Sequence, residues 1–506
     1  MKQKLLFPIL ILLAGAILAF SIRGNVGNPI YYQDAIDSRV GGPFESTNST
    51  ARYVLIQAMV QNNSFFFTPQ QAQSASPDVS EYKGRYMSLF TPGVSFIGIP
   101  FFILGSAIGL PQLTTFLSVF LFALLNMYLV YRVARTLGAN TWASIFSGFA
   151  FLFATNALTY AHTLTQHHMS TTVILVGLLC ALGQKSMRNA ILFGASFGIG
   201  ALIDIPNALM MIPVGLYMLI NYIDFSQVKS KIKVSINAAI LGLLIGVLPF
   251  IVLFGYYNYQ TTGSYTTLAQ SIGRPKGLDS APDLKSIKKS EIKEKTDSSF
   301  KLPFDTRLQI GGIYTLLISD ERSWIFYSPI VLFGVPGLVI AYRKRGTRTS
   351  AALVTSVIIL NISLYTMFHD PWGGWSFGPR YLIPSAALLT AGIAALLTRY
   401  NRNYIITPLV FLILSYSAVI SATGALTTNA IPPKVEAINL PSPIPYTYAY
   451  NFQMLEKNQL SSLFYNLYFS NSVTASLYTY IYSSIIIISG SVLLLLNFTS
   501  KKQHGN

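Results

Sequence analysis

Asp34, Asp37 and Glu45 stand close together soon after the first apolar run of this chain. A carboxylate so placed can take the proton from a hydroxyl as that hydroxyl attacks an electrophile. It can equally be a solvated loop acid, one of them paired with Arg39. Arg380 follows Gly378-Pro379 where another apolar run begins. An arginine at a membrane edge is costly unless it is paired or faces a polar cavity, so it binds an anion, pairs with Asp370 or snorkels to the interface. His162, His167 and His168 invite a metal reading, but His-x4-His-His is not a metal-ligand spacing and the acids are distant in sequence. Asp204 precedes Ile205-Pro206, so it either caps a helix or lines a site. Trp372 and Trp375 could stack on a bound ring, although tryptophan is also common at membrane interfaces.

Composition sets the elements that position these residues. Of 506 residues, 52% are hydrophobic and 10% charged, with a formal net charge of +17. A soluble domain carries about 25% charged residues, so a soluble multidomain enzyme is excluded. The positive charge does not argue for nucleic acid, because the basic residues of membrane proteins gather in cytoplasmic loops. Cys180, the single cysteine, lies in an apolar run, which excludes disulfides and cysteine-ligated zinc. The composition predicts an all-α polytopic membrane protein.

A bilayer core of ~30 Å takes about 20 mostly apolar residues per helix. Such runs begin near Leu5, Leu113, Thr141, Met169, Asn189, Ile205, Val234, Trp324, Thr349, Tyr381, Asn403 and Val473. They predict about twelve transmembrane helices. With both termini in the cytoplasm, the clusters Lys2/Lys4, Arg132/Arg135, Lys185/Arg188, Lys229/Lys231/Lys233, Arg343/Lys344/Arg345/Arg348, Arg399/Arg402 and Lys501/Lys502 all fall inside. A further run, 93–111, is broken by Pro100 and Gly105. Counting it as a span would reverse the clusters that follow, so it reads as a juxtamembrane or re-entrant element. Every carboxylate except Asp224 then lies on the extracytoplasmic side. The first run has no good cleavage site after it and reads as a retained anchor, in the plasma membrane.

One membrane domain over 1–506 is expected. Its first span is 5–22, and a long outer loop with juxtamembrane helices occupies 23–112. Spans two to seven fill 113–257, and an outer loop, 258–323, carries a Lys/Ser/Asp-rich insert with little to bury. Spans eight to eleven fill 324–423, a Pro/Tyr-rich outer loop 424–472, and the last span 473–497.

The order of pieces along nearly the whole chain resembles the GT-C superfamily of polytopic glycosyltransferases, such as protein O-mannosyltransferases and lipid A aminoarabinose transferases. It is similar above all to a large prokaryotic group of GT-C-like membrane proteins with little biochemistry behind them. The pieces are Ser49-Thr50-Ala51-Arg52-Tyr53, Ser88-Leu89-Phe90-Thr91-Pro92-Gly93, the His167/His168 turn, Asp204-Ile205-Pro206, Tyr257-Asn258, Tyr327-Ser328-Pro329 and Trp372-Gly373-Gly374-Trp375-Ser376-Phe377-Gly378-Pro379-Arg380-Tyr381.

The resemblance implies inverting transfer of a hexosyl or pentosyl group from a polyprenyl-phosphate-linked donor to a glycan, lipid or protein acceptor at the outer face. No cofactor or metal is implied beyond that co-substrate. A first-loop carboxylate (Asp34, Asp37 or Glu45) would be the base, and Arg380, Arg52 and His168 would hold the donor phosphate. Asp204, Asp370, Trp372, Trp375 and Tyr53 would line the acceptor and sugar site. In the better-known transferases an aspartate precedes the Arg-Tyr of the first-loop helix, whereas Ser49 stands here. That departure keeps a non-catalytic accessory subunit as the alternative. A lipid or sugar transporter is a further one, although transporters place charges near mid-membrane and these spans are nearly bare of charge.

Overall fold

A computed structural model describes residues 2–24, 40–228, 231–273 and 304–500, without the side chains of 2–6, 224–228 and 231–234. Asp34, Asp37 and the lysine-rich insert 274–301 lie outside the described residues. The first apolar run is α1 (Lys2–Ala19). The segment after it carries α2 (Thr47–Gln61), α3 (Pro69–Ala75) and an antiparallel hairpin of β1 (Val79–Tyr82) and β2 (Arg85–Ser88). Val79 pairs with Ser88 and Tyr82 with Arg85. A capping box starts α3: the Thr68 hydroxyl accepts from the Gln71 N–H at 3.3 Å, and the Gln71 side chain accepts from the Thr68 N–H at 2.9 Å.

The run 93–111 contains α4 (Gly93–Ala107), which turns into α5 (Pro111–Thr136) with proline in the first helical turn. Asn140 caps α6 (Thr141–Phe153) by accepting from the Ala143 N–H at 2.9 Å. Then come α7 (Ala157–Tyr160), α8 (His167–Ala181), α9 (Met187–Ile203) and α10 (Ile205–Asn221). A single extended residue, Asp204, joins α9 to α10.

A second hairpin, β3 (Ile223–Val228) with β4 (Lys231–Ile236), precedes α11 (Leu241–Thr262). The span expected from Val234 therefore begins later, through a 3-10 turn at Ala238–Ile240. Lys231-Ile232-Lys233-Val234 alternates polar and apolar residues, the period of a strand. The chain continues through α12 (Gln309–Ile313), α13 (Trp324–Tyr327) and α14 (Gly334–Arg343). Ser328 (φ −154°, ψ 52°) and a 3-10 turn opened by Pro329 break the last two apart. The remaining helices are α15 (Arg348–Thr366), α16 (Ile383–Arg399), α17 (Ile406–Leu426), α18 (Lys434–Ala437), α19 (Ala449–Glu456) and α20 (Ala475–Thr499).

Among the described residues, six helical segments are long and apolar enough to cross a membrane, and seven shorter apolar helices accompany them. The chain is a multi-pass, helical membrane protein. The segment Arg380–Arg399 is 89% buried over its most apolar window, against 11% for Ala238–Thr262. Thus α16 is the hub of the bundle and α11 presents most of its apolar surface outward. Glycines let backbones touch: a Cβ on Gly337 would sit 1.9 Å from the Gly392 carbonyl oxygen, and one on Gly246 would sit 2.1 Å from that of Ile191.

The loops gather over one end of this bundle, with α2 wedged among them. Its Tyr53 face packs on Phe44, Phe102 and Phe116, while Val54, Leu55 and Ala58 meet Phe67, Val79 and Tyr257. Two buried arginines lock the loops together. Arg322 donates to the carbonyls of Glu321 (2.7 Å), Ile431 (2.8 Å), Tyr446 (3.2 Å) and Trp372 (3.3 Å). Arg23, just past α1, forms a buried ion pair with Glu45.

Candidate anion-binding site

Arg52 leaves α2 one turn after Asn48 and is 2% exposed. Its Nη1 donates to the Asn48 carbonyl at 3.1 Å and its Nη2 to Gln166 Oε1 at 2.8 Å. The guanidinium lies 4.2 Å above the centre of the Phe90 ring, supplied by the segment after β2. Arg380 comes from the other side of the site, on a loop that needs glycine. Gly373, Gly374 and Gly378 have φ of +74°, +61° and +61°, a region most side chains avoid. Asp370 Oδ1 closes that turn by accepting from the N–H groups of Gly373 (3.0 Å) and Gly374 (3.2 Å). Gly373 also leaves room for the arginine, since a Cβ there would stand 2.8 Å from Arg380 Nε. The Arg380 guanidinium is 5.3 Å from the Tyr381 ring centre.

Asp204 completes the cluster from the α9–α10 link. Gln166 Nε2 donates to its Oδ2 at 3.4 Å and the Tyr365 hydroxyl to the same oxygen at 3.5 Å. Tyr365 stacks on Tyr381 with ring centres 4.5 Å apart, and His167 lies edge-on to Tyr381 and to Tyr160. Burial raises the Asp204 carboxyl from 3.8 to about 6, with Arg52 the leading opposing influence. Burial lowers Arg52 to about 10, while Asp204 and Asp78 oppose that loss.

Among the described residues, neither Arg52 nor Arg380 has a carboxylate within 4.0 Å. Among the described residues, Nε of each arginine and Nε2 of His167 are buried without a hydrogen-bond partner. A planar guanidinium fork matches the oxygens of a phosphate or carboxylate, so this cluster offers spare donors to an anion. No group of three His, Cys, Asp or Glu side chains suited to a metal occurs among the described residues.

The structure thus gathers Arg52, Arg380 and Asp204 and places the other expected site residues elsewhere. Glu45 accepts from Arg23, from Thr428, from the Gly41 N–H at 2.6 Å and from the Asn429 N–H at 2.9 Å. Those four donors fill its acceptor positions. His168 is turned away, its Nε2 2.8 Å from the Ala157 carbonyl and its Nδ1 3.3 Å from Asn126. His162 meets the Ser21 hydroxyl at 2.8 Å. Tyr53 packs in the aromatic core behind α2. Asp370 shapes the glycine turn, the Trp372 carbonyl accepts from Arg322 and from Ser376, and the Trp375 indole donates to Glu436 at 2.6 Å. Ser49, where the resemblance places an aspartate, is fully buried on α2. Sequence reasoning missed Gln166, Tyr365 and Tyr381 as site residues and chose His168 where His167 is the histidine at the site. Gln166 and His167 sit in a polar stretch that pointed to them, whereas Tyr365 is one aromatic in an apolar run.

No family model and no curated protein matches this sequence. Among solved structures, the chain is similar to ArnT from Cupriavidus metallidurans in the apo state, at a TM-score of 0.48 and 12% identity. That likeness covers 98% of this chain and 77% of the other.

Proposed function

We propose that this protein is a membrane glycosyltransferase that takes a sugar from a polyprenyl-phosphate carrier, and that Arg52 and Arg380 hold the phosphate. The observation that carries this reading is two arginines converging at the loop-covered end of an apolar helix bundle, without a carboxylate partner among the described residues. Arg52 is buried and Arg380 half-buried; desolvating such charges is expensive and an incoming phosphate would offset it. The order of motifs that resembles GT-C transferases supports the same reading. So does the position of the charges: Arg52 is on a loop helix, Asp204 links two helices and Arg380 precedes α16. A transporter would carry them near mid-membrane.

In this reading the acceptor hydroxyl attacks the anomeric carbon, its proton passes to a carboxylate, and the bond from that carbon to the phosphate oxygen breaks. The electron pair leaves with the phosphate, which departs as an anion between the two arginines, and the configuration inverts. The distribution of basic residues supports a location of this face outside the cytoplasm. The acceptor is a glycan, lipid or protein. Titrating the purified protein with polyprenyl phosphate in vesicles tests the donor site: Arg52→Gln and Arg380→Gln should each weaken binding at least tenfold. Equal binding by both variants would remove the phosphate assignment.

A further inference from the structure

We infer that Asp204, on the link between α9 and α10, is the general base of this transfer, an assignment that rests on the donor reading above. Three features of the site lead to it. First, the two described carboxylates otherwise named for the site are engaged. Glu45 is saturated by four donors, and Asp370 Oδ1 takes the two N–H groups that close its turn. Second, Asp204 is held loosely where it counts. Its carboxylate meets the Ile205 N–H, while Gln166 and Tyr365 reach Oδ2 only at 3.4 and 3.5 Å. Its backbone is nonetheless fixed, with its N–H on the Gly200 carbonyl at 2.9 Å and its carbonyl accepting from the Asn207 N–H at 3.0 Å.

Third, one amide joins the base to the phosphate arm. Gln166 Oε1 accepts from Arg52 at 2.8 Å while its Nε2 faces Asp204. Arg52 and Asp204 attract one another yet lie beyond ion-pair distance. The carboxylate therefore stays available to a hydroxyl, and the guanidinium to a phosphate. In the step, the acceptor O–H bond breaks and its proton moves to Asp204. The oxygen pair forms the bond to the anomeric carbon, and the carbon–oxygen bond to the phosphate breaks with its pair onto the phosphate. Arg52 from α2 acts on this carboxyl by its charge and Tyr365 from α15 by a hydrogen bond, and Tyr381 at the start of α16 is the further titratable group coupled to it. Its elevated titration point is suited to accepting a proton near neutral pH.

The test uses the full chain in vesicles supplied with polyprenyl-phosphate-linked mannose, glucose and arabinose, and reads both sugar transfer and binding of polyprenyl phosphate. Asp204→Asn should slow transfer at least a hundredfold, since general bases contribute roughly 10²–10⁴-fold. Its polyprenyl phosphate binding should be equal to wild type or tighter, because a negative charge near the phosphate is gone. Asp204→Glu should regain part of the rate. An Asp204→Asn protein that transfers within threefold of wild type overturns the base while leaving the donor reading intact. Loss of binding together with transfer in Asp204→Asn makes the residue structural and also overturns it. A wild type that neither binds polyprenyl phosphate nor transfers any of the sugars overturns the donor reading, and the base falls with it. Binding without transfer by the wild type overturns the transferase and the base, and leaves only a lipid-phosphate site.

Discussion

Tyr365 and Tyr381 lie face to face, 4.5 Å between ring centres and 7° between planes. The stack ties the two halves of the site together. One ring directs its hydroxyl at Asp204 and the other stands beside the Arg380 guanidinium. Since Tyr365 belongs to α15 and Tyr381 leads into α16, packing of these helices sets the spacing between carboxylate and cation.

Replacing Arg380 by lysine keeps the charge and removes the fork. A charged hydrogen bond is worth about 1.5–3 kcal/mol, so Arg380→Lys should weaken polyprenyl phosphate binding by at least tenfold, measured by titration in vesicles. Lysine equal to arginine would mean that charge alone suffices there.

Gly373→Ala should disturb the same residue indirectly. Its φ of +74° disfavours a side chain, at a cost of about 1–2 kcal/mol, and the new methyl would meet Arg380 Nε at 2.8 Å. The expected outcome is lower thermal stability together with weaker phosphate binding. Unchanged binding would show that Arg380 does not depend on this turn.

Glu45 provides a control on the choice of base. Glu45→Gln leaves the Arg23 guanidinium buried without its counter-charge, and breaking a buried pair costs about 3–5 kcal/mol. Denaturation in detergent should show that loss, with transfer per folded molecule preserved. Transfer abolished at unchanged stability would make Glu45 the base instead.

Asp204 also makes stability depend on pH. Burial pushes its carboxyl up to about 6 from the ordinary 3.8, so the folded state holds the proton more tightly. That contribution is full below pH 3.8 and is lost as pH rises through 6. Asp204→Asn should therefore raise the thermal midpoint at pH 8 and change it little at pH 4. A variant equally stabilised at both would place the cause elsewhere than ionisation.

Much of the fold was legible because the bilayer demands long apolar runs: each of the twelve expected runs contains a helix. Arg380 was legible for the converse reason, a charge at a membrane edge where charge is costly, whereas Arg52 and Asp204 were legible through the motifs they stand in. The choice between His167 and His168 was not. Neighbouring helical residues point about 100° apart, so only packing decides that one faces Tyr381 and the other Asn126. The role of Tyr365 depends on a tyrosine sixteen positions on, Tyr381, which no local pattern announces. Nor did local pattern reveal that Glu45 would meet Thr428 and Asn429, in a loop that chain closure brings back to it.

The most direct measurement of the central claim is polyprenyl phosphate affinity of wild type against the double variant Arg52→Gln/Arg380→Gln, in vesicles, with inorganic phosphate as competitor. Saturable wild-type binding that the double variant loses by a hundredfold or more is the predicted result. Matching affinities for the two proteins would contradict the account.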